Sequence, residues 1–278
     1  MDTFLENSLL RIEVDPNHGG RITSFLGKQT QTEMLWYDAM RLPVNPVLDY
    51  DGNFAGGMDE LVPCDLPEHG FPDHGELWTQ PLQATFEGSQ LVLEGKLPKS
   101  GLSYRRVMHL EYNTLISRYT LENASSTPLD FMWKLHAALA IAPGDQLVVP
   151  AHCQQAADPG DWSKAVSGLP CHWKGAYAIP EMDGTSDFFY LTDLQGGTME
   201  LRRLDGLHFR CDFDTRIFPC AWVFASFGRL NGSRTLIMEP CTNYPVALDD
   251  AVKAHCCAHL KPGETLATEV RWSVLLVS

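Results

Sequence analysis

Helical periodicity, basic charge and long apolar runs are what this 278-residue sequence has little of. No uninterrupted apolar stretch reaches the length of a bilayer-spanning helix. The start, Met1-Asp2-Thr3-Phe4-Leu5-Glu6-Asn7, has neither a basic region nor an apolar core, so no export signal and a cytoplasmic location are expected. There the eight cysteines should be reduced thiols, most of them small buried hydrophobes. Lysine and arginine number 21 against 35 acidic residues, a net charge of −14. That field repels phosphate backbones and anionic lipid, which makes nucleic acid and membrane surfaces poor partners and weakly disfavours a highly anionic substrate. A glycine-rich phosphate loop, a Gly-x-Ser-x-Gly elbow and a Cys-x-x-Cys pair are all missing. No repeat, low-complexity tract or linker divides the chain, so one domain over 1–278 is expected.

What is there is strand pattern. Hydrophobic residues make up 44% of the chain, enough to bury a core. Leu10, Ile12 and Val14 alternate with Arg11 and Glu13, and Leu91 and Leu93 alternate with Val92 and Glu94. A period of two marks a strand with one face buried. Tyr104 to Leu121 reads as two strands joined near Asn113-Thr114. Further runs are Asp130 to Ile141, Phe188 to Leu191, Met199 to Leu201, Leu207 to Phe213, Ala221 to Phe227, Thr235 to Glu239 and Thr268 to Val277. Glycine-containing turns such as Asp51-Gly52-Asn53 and Asn231-Gly232 punctuate them. One short helical turn is expected around Ala247 to His255. Pro150 to Asp187, rich in Pro, Gly, Trp and His, reads as a long excursion over one sheet face. Many short strands without alternating helices predict an all-β, antiparallel two-sheet sandwich.

Three places can carry proton chemistry. His69-Gly70-Phe71-Pro72-Asp73-His74-Gly75-Glu76-Leu77-Trp78 sets imidazoles beside carboxylates, which can hold a proton near neutral pH, and offers Trp78 as a platform for a sugar ring. His136 sits in a strand-like apolar run, where a satisfied core histidine is the plainer reading. Glu239 follows Leu236-Ile237-Met238, where an unpaired buried carboxylate is costly, and Pro240 is expected to end that strand. His255-Cys256-Cys257-Ala258-His259 matches no common zinc spacing, since neighbours on a strand face opposite ways. The His69, His74 and Glu76 group lacks the close His-x-His pair of a cupin-type metal site.

In this order, Asp73-His74-Gly75-Glu76-Leu77-Trp78, His136 in its apolar strand and Glu239-Pro240 resemble the aldose 1-epimerase (galactose mutarotase-like) family. Gly19-Gly20-Arg21-Ile22-Thr23-Ser24-Phe25 near the start and Leu260-Lys261-Pro262-Gly263-Glu264 before the last strand extend the resemblance over most of the chain. It implies a large β-sandwich with a sugar site on a concave face and no cofactor. It also implies Glu239 as general base, His136 as general acid and His74 polarising the sugar near its ring oxygen. The substrate-binding positions are expected at Asp187, Trp78, Glu76, Asp59 and Glu60. The spacing from His-Gly to Trp is shorter than the family's, and the family's substrate-binding arginine is not evident. Gly56-Gly57-Met58-Asp59-Glu60 stands where the sugar-phosphate branch would show basic residues, which points away from a phosphosugar.

Mutarotation needs one base to take the proton of the anomeric hydroxyl and one acid to protonate the ring oxygen, each worth roughly 10²–10⁴-fold. It needs no metal and no redox group. Two other readings stay open: a non-catalytic carbohydrate-binding protein on the same scaffold, and a glycoside hydrolase pairing Glu239 with Asp59, Glu60 or Glu76. All three take a small carbohydrate, and the protein is expected as a monomer or homodimer.

Overall fold

The computed structural model describes residues 3–41, 44–45, 47–158, 161–165, 171–172 and 174–277, with only the backbone described across 153–173. Two large antiparallel sheets face each other, as the alternation predicts. The central strands of the larger sheet run, side by side, Arg21–Gly27, Met58–Leu61, Lys134–Ala140, Arg234–Cys241, Cys220–Phe227 and Ser186–Leu194. The smaller sheet orders Ala176–Ala178, Gln146–Val148, Thr198–Arg202, Leu207–Asp212, Thr265–Leu276, Thr114–Asn123, Leu102–Glu111, Gln90–Lys96 and Gln83–Glu87.

Alternation sends one set of side chains between the sheets. Leu135, Ala137 and Leu139, then Val223 and Ala225, then Leu236 and Met238 all enter this main core. The opposite set of the same strands does not meet plain solvent. Ala138, Trp222, Phe224 and Ile237 join a second apolar cluster with Tyr50, Phe54 and Trp78 on the outer face of the larger sheet. All eight residues of Cys220–Phe227 are therefore buried. Continuous apolar runs in an antiparallel sheet are explained by this double cover.

Most expected strands are present within a few residues. The hairpin at Asn113-Thr114 joins Leu102–Glu111 to Thr114–Asn123. The helical turn appears as Leu248–Lys253. Two expectations need correction. The strand Arg234–Cys241 does not stop before Pro240 but runs through it. Its pairing with Lys134–Ala140 joins Lys134 to Cys241 and Ala137 to Met238, on either side of the proline, which has no N–H to donate. Pro150 to Asp187 is also not a plain excursion. Its described parts include the strands Ala151–Asp158, Asp161–Ala165 and Ala176–Ala178, and Ala151–Asp158 pairs in the larger sheet with Ser186–Leu194. Within that stretch, residues 159–160, 166–170 and 173 lie outside the described residues. No helix among the described residues is long and apolar enough to cross a membrane.

Candidate functional site

A cavity of about 240 Å³ opens over the outer face of the larger sheet. Its polar side is made by Tyr50, Asp51, Asp65, Asp73, His74, Lys134, His136 and Glu239, and its apolar side by Phe54, Leu66, Phe188, Phe224, Leu230, Ile237 and Val246. A hollow with an apolar wall and a few convergent polar groups is the usual form of a small-ligand site.

Strand register brings His136 and Glu239 to this cavity. With Lys134 opposite Cys241 and Ala137 opposite Met238, the same count sets His136 across from Glu239 on neighbouring strands. Such cross-strand side chains stand roughly 4.5–5.5 Å apart at Cβ. His136 Nδ1 lies 2.9 Å from Asp59 Oδ1 and 3.2 Å from the Tyr50 hydroxyl. Tyr50 also donates to Asp59 Oδ2 at 2.9 Å, and Arg21 Nη2 donates to the same oxygen at 2.9 Å. Burial alone would push the Asp59 carboxyl up, but Arg21 and His136 outweigh it and bring it down to about 2. An ionised carboxylate can only accept, so Nδ1 of His136 carries a proton and Nε2 is the nitrogen left for a ligand.

His74 arrives from a loop. Its backbone is left-handed, φ +57°, and the following Gly75 has φ +74° with no room for a Cβ against the Val62 carbonyl. The imidazole stacks on Tyr50 at 4.2 Å. Its Nδ1 is 3.0 Å from Asp73 Oδ1 and its Nε2 3.2 Å from Asp65 Oδ1. Burial alone would lower this imidazole, but Asp65 and the bond to Asp73 hold it above its ordinary value.

Lysine 134, two residues before His136 and so on the same strand face, completes the cluster. Its ammonium lies 2.8 Å from Glu239 Oε2 and 3.2 Å from Asp65 Oδ1, with only 3% of the side chain exposed. Burial pushes the ammonium down, but Asp65 and Glu239 together raise it, so it stays charged. Asp65 is likewise pushed up by burial and pulled below its ordinary value by Lys134 and His74. Sequence reading missed Lys134, Asp65, Tyr50 and Asp51. The one available signal was a lysine inside an apolar strand run, which must find an anion if it is buried.

The structure thus brings His74, His136 and Glu239 to one cavity. It sets the other five expected positions elsewhere. Asp59 lies behind His136, where it holds the ring rather than lining the cavity. Glu60, the next residue on the strand, faces the opposite way into the main core. There it accepts from Tyr104 at 2.8 Å and Trp133 at 3.0 Å and pairs with Arg106 at 3.4 Å. Glu76 is occupied by the backbone N–H groups of Lys99 and Ser100, both at 2.8 Å. Trp78 is buried edge-on beneath Tyr50, its ring N–H reaching the Asp73 carbonyl, so its face is not free for a sugar. Asp187 accepts from the Tyr177 hydroxyl at 2.9 Å on an exposed stretch and does not line the cavity. His69 is also outside it, paired with Asp249 at 3.0 Å.

Comparison with solved structures finds the same fold. The Slr1438 protein from Synechocystis sp. PCC 6803 superposes with a TM-score of 0.79 over 99% of this chain and 96% of its own, at 17% identity. A galactose mutarotase related enzyme from Lactobacillus acidophilus gives 0.76 over 100% and 98%, at 14% identity. A galactose mutarotase-like protein from Lactobacillus casei gives 0.73 over 99% and 100%, at 12% identity. The fold is galactose mutarotase-like. No protein-family model matches the sequence, and no curated protein does.

Proposed function

We propose that this chain is an aldose 1-epimerase, interconverting the α and β anomers of a free, neutral sugar by general acid–base catalysis. The observation that carries this reading is the meeting of His136 and Glu239 from adjacent strands, with His74 from a loop, around one cavity. Glu239 accepts the proton of the anomeric hydroxyl as the bond from the anomeric carbon to the ring oxygen breaks. His136, in its doubly protonated form, delivers a proton from Nε2 to that oxygen, with Asp59 as counter-charge behind the ring. The aldehyde turns and the two proton transfers run backwards to close the ring. His74, held above its ordinary value by its carboxylates, supplies positive potential beside the developing negative charge. Phe54, Phe188 and Phe224, rather than Trp78, offer the apolar surface for the C–H faces of the sugar.

Among the described residues lining the cavity, Lys134 is the sole lysine or arginine, and it is already paired twice. This favours a neutral sugar over a phosphorylated one. The test is magnetisation-exchange NMR between the anomer signals of a panel of free aldoses. The protein should accelerate exchange for at least one sugar, and Glu239→Gln should lower kcat by at least about 10²-fold. Saturable sugar binding with no acceleration for any aldose would instead establish a binding protein.

A further inference from the structure

Glu239 is not alone at the bottom of the cavity. Its Oε2 is 2.8 Å from the Lys134 ammonium, whose second partner is Asp65 at 3.2 Å and which lies 4.4 Å above the Trp222 ring. Asp65 Oδ1 in turn sits 3.2 Å from His74 Nε2, and His74 Nδ1 3.0 Å from Asp73. The result is an unbroken chain of alternating charge: Asp73, His74, Asp65, Lys134, Glu239. Well-packed apolar side chains on this face would stabilise the sheet at least as well as these buried charges. The proton transfers of the reaction require neither Lys134 nor Asp65.

We propose that Lys134, held by Asp65, is a positioning residue for the reaction: it fixes Glu239 through Oε2, leaves Oε1 to the sugar, and links the charge of Glu239 to that of His74. This inference rests on the epimerase reading of the site. When Glu239 takes the anomeric proton, its charge is cancelled and Lys134 keeps only Asp65 as partner. The ammonium then draws more strongly on Asp65, and Asp65 holds His74 less. When Glu239 gives the proton back, both pairs are restored. The groups facing His74 are Asp73 beside it, Asp65, Lys134 on its strand, and Tyr50 and Asp51 from the short helix Tyr50–Asn53. Lys134 is the cation among them, and it is the one that opposes protonation of His74.

The experiment compares wild type, Lys134→Met and Lys134→Arg for kcat and KM by anomer exchange, and for the titration of His74 by imidazole NMR. Lys134→Met should lower kcat by at least about tenfold with KM changed less than about threefold, because the base is misplaced rather than the sugar lost. His74 should titrate at a higher pH once the opposing cation is gone. Lys134→Arg should recover part of kcat. A folded Lys134→Met with kcat within about twofold of wild type, or with an unmoved His74 titration, would overturn the proposal. If Lys134→Met does not fold, Glu239→Gln in the otherwise intact protein reads the same link: His74 should titrate at a lower pH, and an unmoved titration refutes it. If wild type accelerates no aldose, the epimerase reading fails, while the His74 titrations still decide the coupling.

Discussion

Asp59 shows how one residue can matter to a site it does not line. Its carboxyl is held at about 2, against an ordinary value of 3.8, by Arg21 and His136 acting against burial. A depressed carboxylate stabilises the fold while pH is above the unfolded value, and that contribution is lost as pH falls from about 4 through about 2. The shift corresponds to about 2 kcal/mol at neutral pH. Asp59→Asn also leaves Arg21 buried without its anion, so the variant should lose about 3–5 kcal/mol at pH 7. Denaturant unfolding should show its deficit against wild type shrinking between pH 4 and pH 2. Gly75 matters through its backbone: φ is +74°, and a methyl group there would collide with Val62. Gly75→Ala should cost at least about 2 kcal/mol, read as a lowered Tm, and should displace His74. Cys256 and Cys257 are neighbours with opposite chemistry. Interaction with the neighbouring Cys220 thiol brings Cys256 down to about 7, and burial pushes Cys257 up to about 11. Iodoacetamide near pH 7 should therefore alkylate Cys256 well before Cys257, as peptide mass mapping would show.

Among the elements, burial on both faces separates the strands of the site from those at the rim. Cys220–Phe227 is paired on both sides and covered on both faces, whereas every residue of the edge strand Gln83–Glu87 is exposed. Hydrogen exchange followed by mass spectrometry should find amides of Gln83–Glu87 exchanging orders of magnitude faster than those of Cys220–Phe227. Comparable rates would mean that the second apolar cluster does not close over the sheet. The same double cover explains which strands were easy to read. Leu10–Asp15 and Leu207–Asp212 alternate because one face is half-exposed. Met58–Leu61 carries no such signal. All four of its residues are buried, and its two acids are accommodated by Arg21 and His136 on one face and by Arg106, Tyr104 and Trp133 on the other. Pro240 misled for a related reason. A proline lacks one donor, and here the strand breaks its ladder with Lys134–Ala140 around that position, keeps its pairing with Cys220–Phe227 through Pro240 and continues to Cys241.

At the scale of the whole molecule, the net charge of −14 acts on approach to the cavity as well as inside it. A neutral hexose should be turned over with a kcat/KM at least about tenfold above that of its 6-phosphate, and added salt should narrow the gap by screening the repulsion. Equal values at low salt would count against a neutral substrate. The sequence by itself determined the class of fold, because period-two alternation depends only on which neighbours along one strand are apolar. It also singled out His74, His136 and Glu239, because their motifs occur in an order that resembles the mutarotase-like proteins. Only the tertiary structure decided what surrounds them. Lys134 and Asp65 are 69 residues apart and meet because a loop folds back against a central strand. Adjacent Asp59 and Glu60 part company because the pleat sends them to opposite faces. Periodicity is a local property of the chain, whereas convergence depends on strand order and register, and those are set by packing across the whole sheet.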